Sequence, residues 1–361
     1  IPCSDGAASF VSTGSHTGDY ISTNFIPDYI HTNASMGMWV NFKSISEQTM
    51  GHHGNKRWYI GIAGDGDLFM GVQDEHTNSD NIDGGIVANK WFHFTVTAID
   101  GTATFYVNGV AKGTKSYTQD INDNPDEGLV IGARKHNGDI QTTMDAYISN
   151  AFQYNVGLTQ PQIKSIMNKN YAGLTTGTGG ETENLVSWWN LDAPITEDYA
   201  GMGESDAPST IDGLVLDNHD TTLTEVTVTN SDFTSGSGTT ITDWNNSHLG
   251  LWERSGDTII SPNGVSLLRR SSALTNNVAH KLIVRAKNTI PGSNAKVQVY
   301  FGGNNQAHYN LTDDFQEYVF HGLQTDDTTF ILYNPTGGDS TNVTIDWVKL
   351  YKYDGNVGLL V

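Results

Sequence analysis

Carboxylates, imidazoles and aromatic rings are the side chains of this sequence whose spacing bears on chemistry. Retaining glycoside hydrolysis needs a nucleophile and an acid placed on alternate positions of one strand so that both reach a single bond. The nearest spacing is Glu204-Ser205-Asp206, but Ser209 stands where a third carboxylate belongs, and Gly and Pro surround the run. No strand would hold that geometry. A serine nucleophile elbow, a phosphate-cradling glycine loop, a Cys/His zinc cluster and an H-E-x-x-H helix are absent from the sequence as well. The expectation is a protein that is not an enzyme.

Metal ligation and ring stacking are the remaining chemistries. Met50-Gly51-His52-His53-Gly54 carries adjacent imidazoles; neighbours on a strand face opposite ways, so both would reach one ion only from a loop. The run reads as a polar loop between two strands. Three acidic segments offer oxygens: Gly64-Asp65-Gly66-Asp67, then Gln73-Asp74-Glu75 with Asp80 and Asp83, then Asp120 through Glu127. Calcium takes such ligands from flexible loops, whereas Asp and Asn also populate turns because they cap local backbone groups. Sugar binding needs aromatic rings to stack on pyranose faces, with amides and carboxylates for the hydroxyls. Trp244, Trp252, Tyr300 and Tyr309 are the candidate rings, with Asn304, Asn305 and Gln306 between the last two. The competing expectation for each ring is a place in a β-sandwich core.

Strands must position all of these. In the segment Lys90 to Gly109, two alternating patterns are separated by Asp100-Gly101 and closed by Asn108-Gly109, dipeptides that supply the positive φ of two-residue hairpin turns. Further strands are expected at 37–42, 57–62, 67–72 and 129–132, and in 144–154, where Met144, Ala146, Ile148, Phe152 and Tyr154 share one parity. Leu158 to Met167 reads as a helix, with Thr159 as N-cap, Pro161 in the first turn and Gln162 completing a capping box. Gly173 to Glu183 reads as a linker and Asn184 to Asp192 as a strand followed by an irregular acidic connector. Strands are expected again over 227–233, 281–286, 295–301, 317–321, 329–333 and 343–351.

The 361 residues are enough for two domains with cores of their own. The reading is all-β: two antiparallel β-sandwich (jelly-roll) domains with one short helix closing the first. Residues 1–172 form the first, 173–222 a linker and connector, and 223–361 the second. Nineteen Lys and Arg against 40 Asp and Glu give a net charge of −21, which argues against a nucleic-acid partner. Cys3 stands alone, so no intramolecular disulfide forms. No apolar run approaches a membrane span, so no membrane insertion is expected.

The strand Trp91-Phe92-His93 followed by one ending Tyr106-Val107-Asn108-Gly109 resembles the laminin-G-like branch of the concanavalin-A-type lectin sandwiches. A short helix after the last strand is what that family shows, and His93 falls at its usual strand histidine, with a structural role. The opening Asn230-Ser231-Asp232-Phe233 and the closing Ile345-Asp346-Trp347-Val348-Lys349-Leu350 resemble the first and last strands of carbohydrate-binding modules of the galactose-binding jelly-roll type. That resemblance implies a structural calcium between Asp232 and Asp346. The pairing of the two resembles tail, fibre and decoration proteins of bacteriophages. It implies a non-enzymatic protein of the virion surface, a homo-oligomer that contacts other virion proteins and cell-surface glycans. The alternative is a secreted carbohydrate-binding accessory region of a bacterial enzyme or adhesin.

Overall fold

The computed structural model describes residues 6–14, 17–23, 33–55, 58–72, 81–117, 124–136, 139–191, 213–215, 217–249, 251–261, 266–275, 278–293, 295–301, 304–323, 328–335, 342–355 and 358–360. They form two units, each an antiparallel two-sheet sandwich around its own core. The first draws on residues up to 191, on 213–221 and on 355–360; the second occupies 222–354.

In unit 1 one sheet runs in the order Ala8–Phe10, Ala146–Tyr154, Asn33–Phe42, Trp91–Ile99, Thr102–Val107, Val110–Ser116, with Leu185–Trp189 also paired to Ala146–Tyr154. The other is Gly213–Val215, Gly358–Leu360, Ile21–Thr23, Asn124–Ile131, Gln48–Asn55, Trp58–Ile62, Leu68–Val72. Met36, Met38, Val40, Phe94, Val96, Phe105 and Ile148 from the first meet Ile21, Met50, Ile60, Ile62, Met70, Leu129 and Ile131 from the second. The expected hairpins form as local chemistry dictates: Asp100 and Gly101 adopt φ of 44° and 80°, Asn108 and Gly109 of 52° and 70°, and the strands pair Ile99 with Thr102 and Val107 with Val110.

The helix α1, Gln160–Ile166, follows as expected, and Gln162 Oε1 accepts from the Thr159 N–H at 2.8 Å. Ile163 and Ile166 seal a second cluster with Phe152, Tyr154, Leu158, Leu174, Leu185 and Trp188. This layer explains why Trp91–Ile99 is buried on both faces rather than alternating. Strand 144–154 departs from a single parity. Asn150 takes φ of 49° and the register against Asn33–Phe42 shifts between Ser149 and Phe152. That bulge turns the later residues over: Met144, Ala146, Ile148 and Ala151 face the sandwich core, whereas Phe152 and Tyr154 face α1.

The segments read as linker and connector are folded onto unit 1 where they are described. Glu181 binds Lys169, Ser165 and Thr175, and Asp217, buried, accepts from the backbone N–H groups of Trp188 and His219. The last described strand, Gly358–Leu360, pairs in unit 1 rather than in the second sandwich.

Unit 2 sets Glu253–Ser255, Thr258–Ile260, Val343–Tyr353, Ala279–Asn288 and Gln316–Leu323, with Leu223–Val226 on the third of these, against Asn245–Leu249, Ser266–Arg270, Phe330–Asn334, Lys296–Phe301 and Asn304–Asn310. From His280 to Asn288 the strand Ala279–Asn288 alternates strictly, and Leu282, Val284 and Ala286 enter a core with Phe301, Phe320, Leu332, Val348 and Leu350.

Candidate functional site

An open cleft of about 340 Å³ in unit 1 is lined by Ser12, Ser46, Glu47, Gln48, Thr142, Thr143 and Asp145. Four segments supply it: the strand Ser12–Gly14, the turn leading into Gln48–Asn55, the end of Asp139–Thr143, and the residue that precedes Ala146–Tyr154. Gln48 organises it from below. Fully buried, its Oε1 accepts from the Asp145 N–H at 2.8 Å, while Nε2 donates to Ser44 O at 2.8 Å and to Ser46 Oγ at 3.2 Å. The hydroxyls pair across strands, Ser12 with Thr143 at 2.8 Å and Thr49 with Thr142 at 2.7 Å.

Beside the cleft Lys43 Nζ lies 3.2 Å from Asp145 Oδ1 and 4.9 Å from the centre of the Tyr147 ring. The Phe10 carbonyl and Ser9 Oγ also accept from it, at 2.8 and 3.2 Å. Lys43 is thereby fixed, and it ties the carboxylate to the ring. Tyr147 is 41% exposed, enough to present a ring to a ligand. The arrangement combines hydroxyls, two carboxylates and an aromatic neighbour, and its lining includes no histidine or cysteine to act as base or nucleophile.

The rings expected to stack on sugars do not form one surface. Trp252 is completely buried and Trp244 nearly so, its Nε1–H donating to the Asn230 carbonyl at 3.1 Å; both belong to the unit 2 core and neither can stack on a ligand. Tyr309 packs inward against Phe320, ring centres 5.1 Å apart, and donates to the Val319 carbonyl. Tyr300 takes an outward position, half-buried, edge-on to Tyr333 at 5.4 Å. The side chains of Asn304, Asn305 and Gln306 lie outside those described, as do residues 204–209.

The expected calcium pair is otherwise engaged. Asp346 forms an ion pair with Arg285, and Asp232 Oδ1 accepts from Thr234 Oγ1 at 3.0 Å to cap a turn. This donor set, one carboxylate neutralised by a guanidinium and one committed to a turn, does not fit a calcium ion. Asp65 likewise caps its own loop through the Asp67 N–H, and Asp83 caps its own through the Gly85 N–H. Residues 73–80 and 118–123, and the side chains to 127, are outside those described. Among the described residues no three His, Cys, Asp or Glu come together as a metal site.

His52 sits within the strand Gln48–Asn55 rather than in a loop; it is buried, and its Nδ1 accepts from the Lys135 N–H at 3.1 Å. The side chain of His53 is outside those described. His93 is sealed between Trp39, edge-on at 5.3 Å, and Phe152, stacked at 5.9 Å. Burial pushes its pKa down to about 3, so the imidazole is neutral.

The cleft residues escaped the sequence reading for a plain reason. Its lining runs from position 12 to position 145 with no motif. Tyr147 alone had a signal: it is the polar-parity aromatic between Ala146 and Ile148.

Residues 14–164 match the family model for the concanavalin A-like lectin/glucanases superfamily, Laminin_G_3. No curated protein matches the chain. Among solved structures, a putative carbohydrate binding protein from Bacteroides ovatus is similar at 17% identity and a TM-score of 0.42, covering 59% of this chain and 55% of that one. The chain thus spans about half that protein's length. A heptameric SAP-like pentraxin from Limulus polyphemus is similar at 17% identity over 44% of this chain and 80% of that one, TM-score 0.36. The CBM22-1 xylan-binding domain of Paenibacillus barcinonensis Xyn10C is similar at 12% identity over 34% and 92%, TM-score 0.27.

Proposed function

We propose that this chain is a non-catalytic carbohydrate-recognition protein that engages glycans through the cleft of unit 1. The observation that carries the reading is the cleft itself, where buried Gln48 and paired hydroxyls hold Glu47, Asp145 and their neighbours open to a ligand. Ligand sites measure about 300–1,000 Å³, and this one, at about 340 Å³, suits a short stretch of glycan. Tyr147 supplies the ring face and the lining supplies the partners for sugar hydroxyls. The lectin-type sandwich supports the same reading.

The setting we propose is the surface of a bacteriophage virion, as a capsid decoration, fibre or tail-adhesion subunit. There the chain would associate with other virion proteins and with copies of itself. An accessory region of a bacterial secreted enzyme or adhesin shares this recognition chemistry and differs in what the chain accompanies. A glycan array probed with the full chain tests the function: binding to a defined set of oligosaccharides, weakened by Glu47→Ala, is expected. Absence of binding to every glycan, or binding unchanged in Glu47→Ala, overturns the cleft assignment. Mass spectrometry of purified particles and of secreted protein decides the setting. Stoichiometric presence in particles supports the virion, and presence only among secreted proteins overturns it.

A further inference from the structure

One face of unit 2 has a chemistry unlike that of the chain as a whole. Alternation along Ala279–Asn288 sends Leu282, Val284 and Ala286 into the core and leaves Lys281, Ile283, Arg285 and Lys287 on the outward positions. Across one ladder Lys281 faces Tyr351, Ile283 faces Lys349 and Arg285 faces Trp347. Across the other, His321, Val319 and Glu317 stand opposite Lys281, Ile283 and Arg285. Acidic residues outnumber Lys and Arg by 40 to 19 in this sequence, yet four cations gather on two adjacent strands.

Their pairing separates them into two kinds. Arg285 is balanced by Asp346, set off the regular register where the ladder shifts between Arg285 and Ala286, and has Glu317 as its cross-strand neighbour. Lys281, Lys287 and Lys349 form no ion pair among the described residues. Two of the three are instead held over rings: Lys287 Nζ lies 4.7 Å from the centre of Phe315, and Lys349 Nζ 4.7 Å from the centre of Trp347. The ring quadrupole attracts a cation in that position, which restricts a side chain that otherwise samples many rotamers. Less entropy is then lost when it meets an anion.

A strand rise of about 3.4 Å per residue puts Lys281 and Lys287 about 20 Å apart, with Lys349 beside Ile283 between them. The result is a ridge of separated charges rather than a pocket, and its complement is a linear polymer with spaced anions. We propose that this face binds an acidic polysaccharide, a linear glycan bearing carboxylate or sulfate groups. Lys281, Lys287 and Lys349 meet the anions, and Ile283, Val319 and Tyr351 offer half-buried surface to the sugar rings. Duplex DNA is a poorer complement, because it carries one charge per about 1.7 Å and a chain of net charge −21 repels so dense a polyanion.

Affinity electrophoresis of the full chain through gels containing polygalacturonate, dextran sulfate or neutral dextran tests this. Retardation by at least one acidic polymer is expected, relieved by salt. The triple variant Lys281→Gln, Lys287→Gln, Lys349→Gln is expected to bind that polymer weaker by about tenfold or more, with an unchanged thermal melt. The double variant Lys112→Gln, Lys164→Gln, which removes two exposed cations of unit 1, should be retarded like the parent protein. Equal retardation of the triple variant, no retardation by either acidic polymer, or tighter binding of a DNA duplex than of either polymer overturns the proposal. Because the ridge lies in unit 2, its failure leaves the unit 1 cleft to be judged by the glycan array.

Discussion

Tyr147 and Trp252 are both large aromatics, and burial gives them opposite work. Tyr147, beside the cleft, is 41% exposed with Lys43 over its ring, so Tyr147→Ala is expected to weaken glycan binding by about 0.5–1.5 kcal/mol and leave the melting temperature in place; isothermal titration against the best array ligand measures it. Trp252 fills the unit 2 core, so Trp252→Ala should cost about 3–5 kcal/mol of stability, read as an earlier urea midpoint. His93 belongs with Trp252. Burial lowers its pKa from 6.5 to about 3 and burial lowers that of His280 to about 4. Below pH 6.5 the unfolded chain takes up protons that the folded chain refuses, so the stability from burying neutral imidazole is complete above 6.5. It then falls by about 1.4 kcal/mol per pH unit for each histidine, down to its folded value. Urea unfolding from pH 7 to pH 4 should show this slope, and His93→Phe should flatten it for unit 1. An identical slope in the variant would show that another group titrates.

Among the elements, the segment around Glu181 does for unit 1 what a linker would not. Burial alone would raise the pKa of this carboxyl, but hydrogen bonds from Lys169, Ser165 and the Thr175 N–H outweigh it and hold the value down to about 2. Lys169 in turn comes from the segment after α1, so the carboxylate clamps the helix, that segment and the loop at Thr175 together. Glu181→Gln keeps the shape and removes the charge. A loss of about 1.5–3 kcal/mol is expected at pH 7, read by chemical denaturation. The difference from the parent protein should shrink as pH falls below about 4.5 toward 2, because protonation removes the same charge. The legibility of these elements follows the range of the interactions that make them. The hairpins at Asp100 and Asn108, and the capped helix, rest on neighbours in sequence and could be read from it. The bulge at Asn150 could not: it reverses the facing of Phe152 and Tyr154 because α1 and Leu185–Trp189 need aromatic partners on that side, a demand from distant residues. The cleft was illegible for the same cause, since Ser12, Glu47 and Thr142 come from segments far apart in the chain and meet only in the folded unit. Trp244 and Trp252 were legible as aromatics of a sandwich, but only packing tells a core ring from an exposed one.

At the scale of the molecule, unit 1 is completed by residues that lie beyond unit 2 in sequence. Gly358–Leu360 pairs on one side with Gly213–Val215 and on the other with Ile21–Thr23, so the sheet is closed by three segments far apart in the chain. Nearby, a Cβ on Gly355 would sit 1.9 Å from the Asp220 carbonyl oxygen; only glycine permits that approach. Removing residues 356–361 would leave Gly213–Val215 without its only described partner and return Ile21–Thr23 to an open edge. Each lost backbone hydrogen bond costs about 0.5–1.5 kcal/mol, and the new edge invites pairing between molecules. Unit 2 keeps its own sheets intact, because Val343–Tyr353 closes it before Gly355. Calorimetry of the truncated chain should therefore show the unit 1 transition at lower temperature and the unit 2 transition unmoved, with Trp252→Ala in the full chain producing the converse. Gly355→Ala should shift the same transition as the truncation, by less. If truncation moved both transitions together, the two sandwiches would be one cooperative unit. If it moved neither, the closing strand would contribute nothing to the sheet it joins.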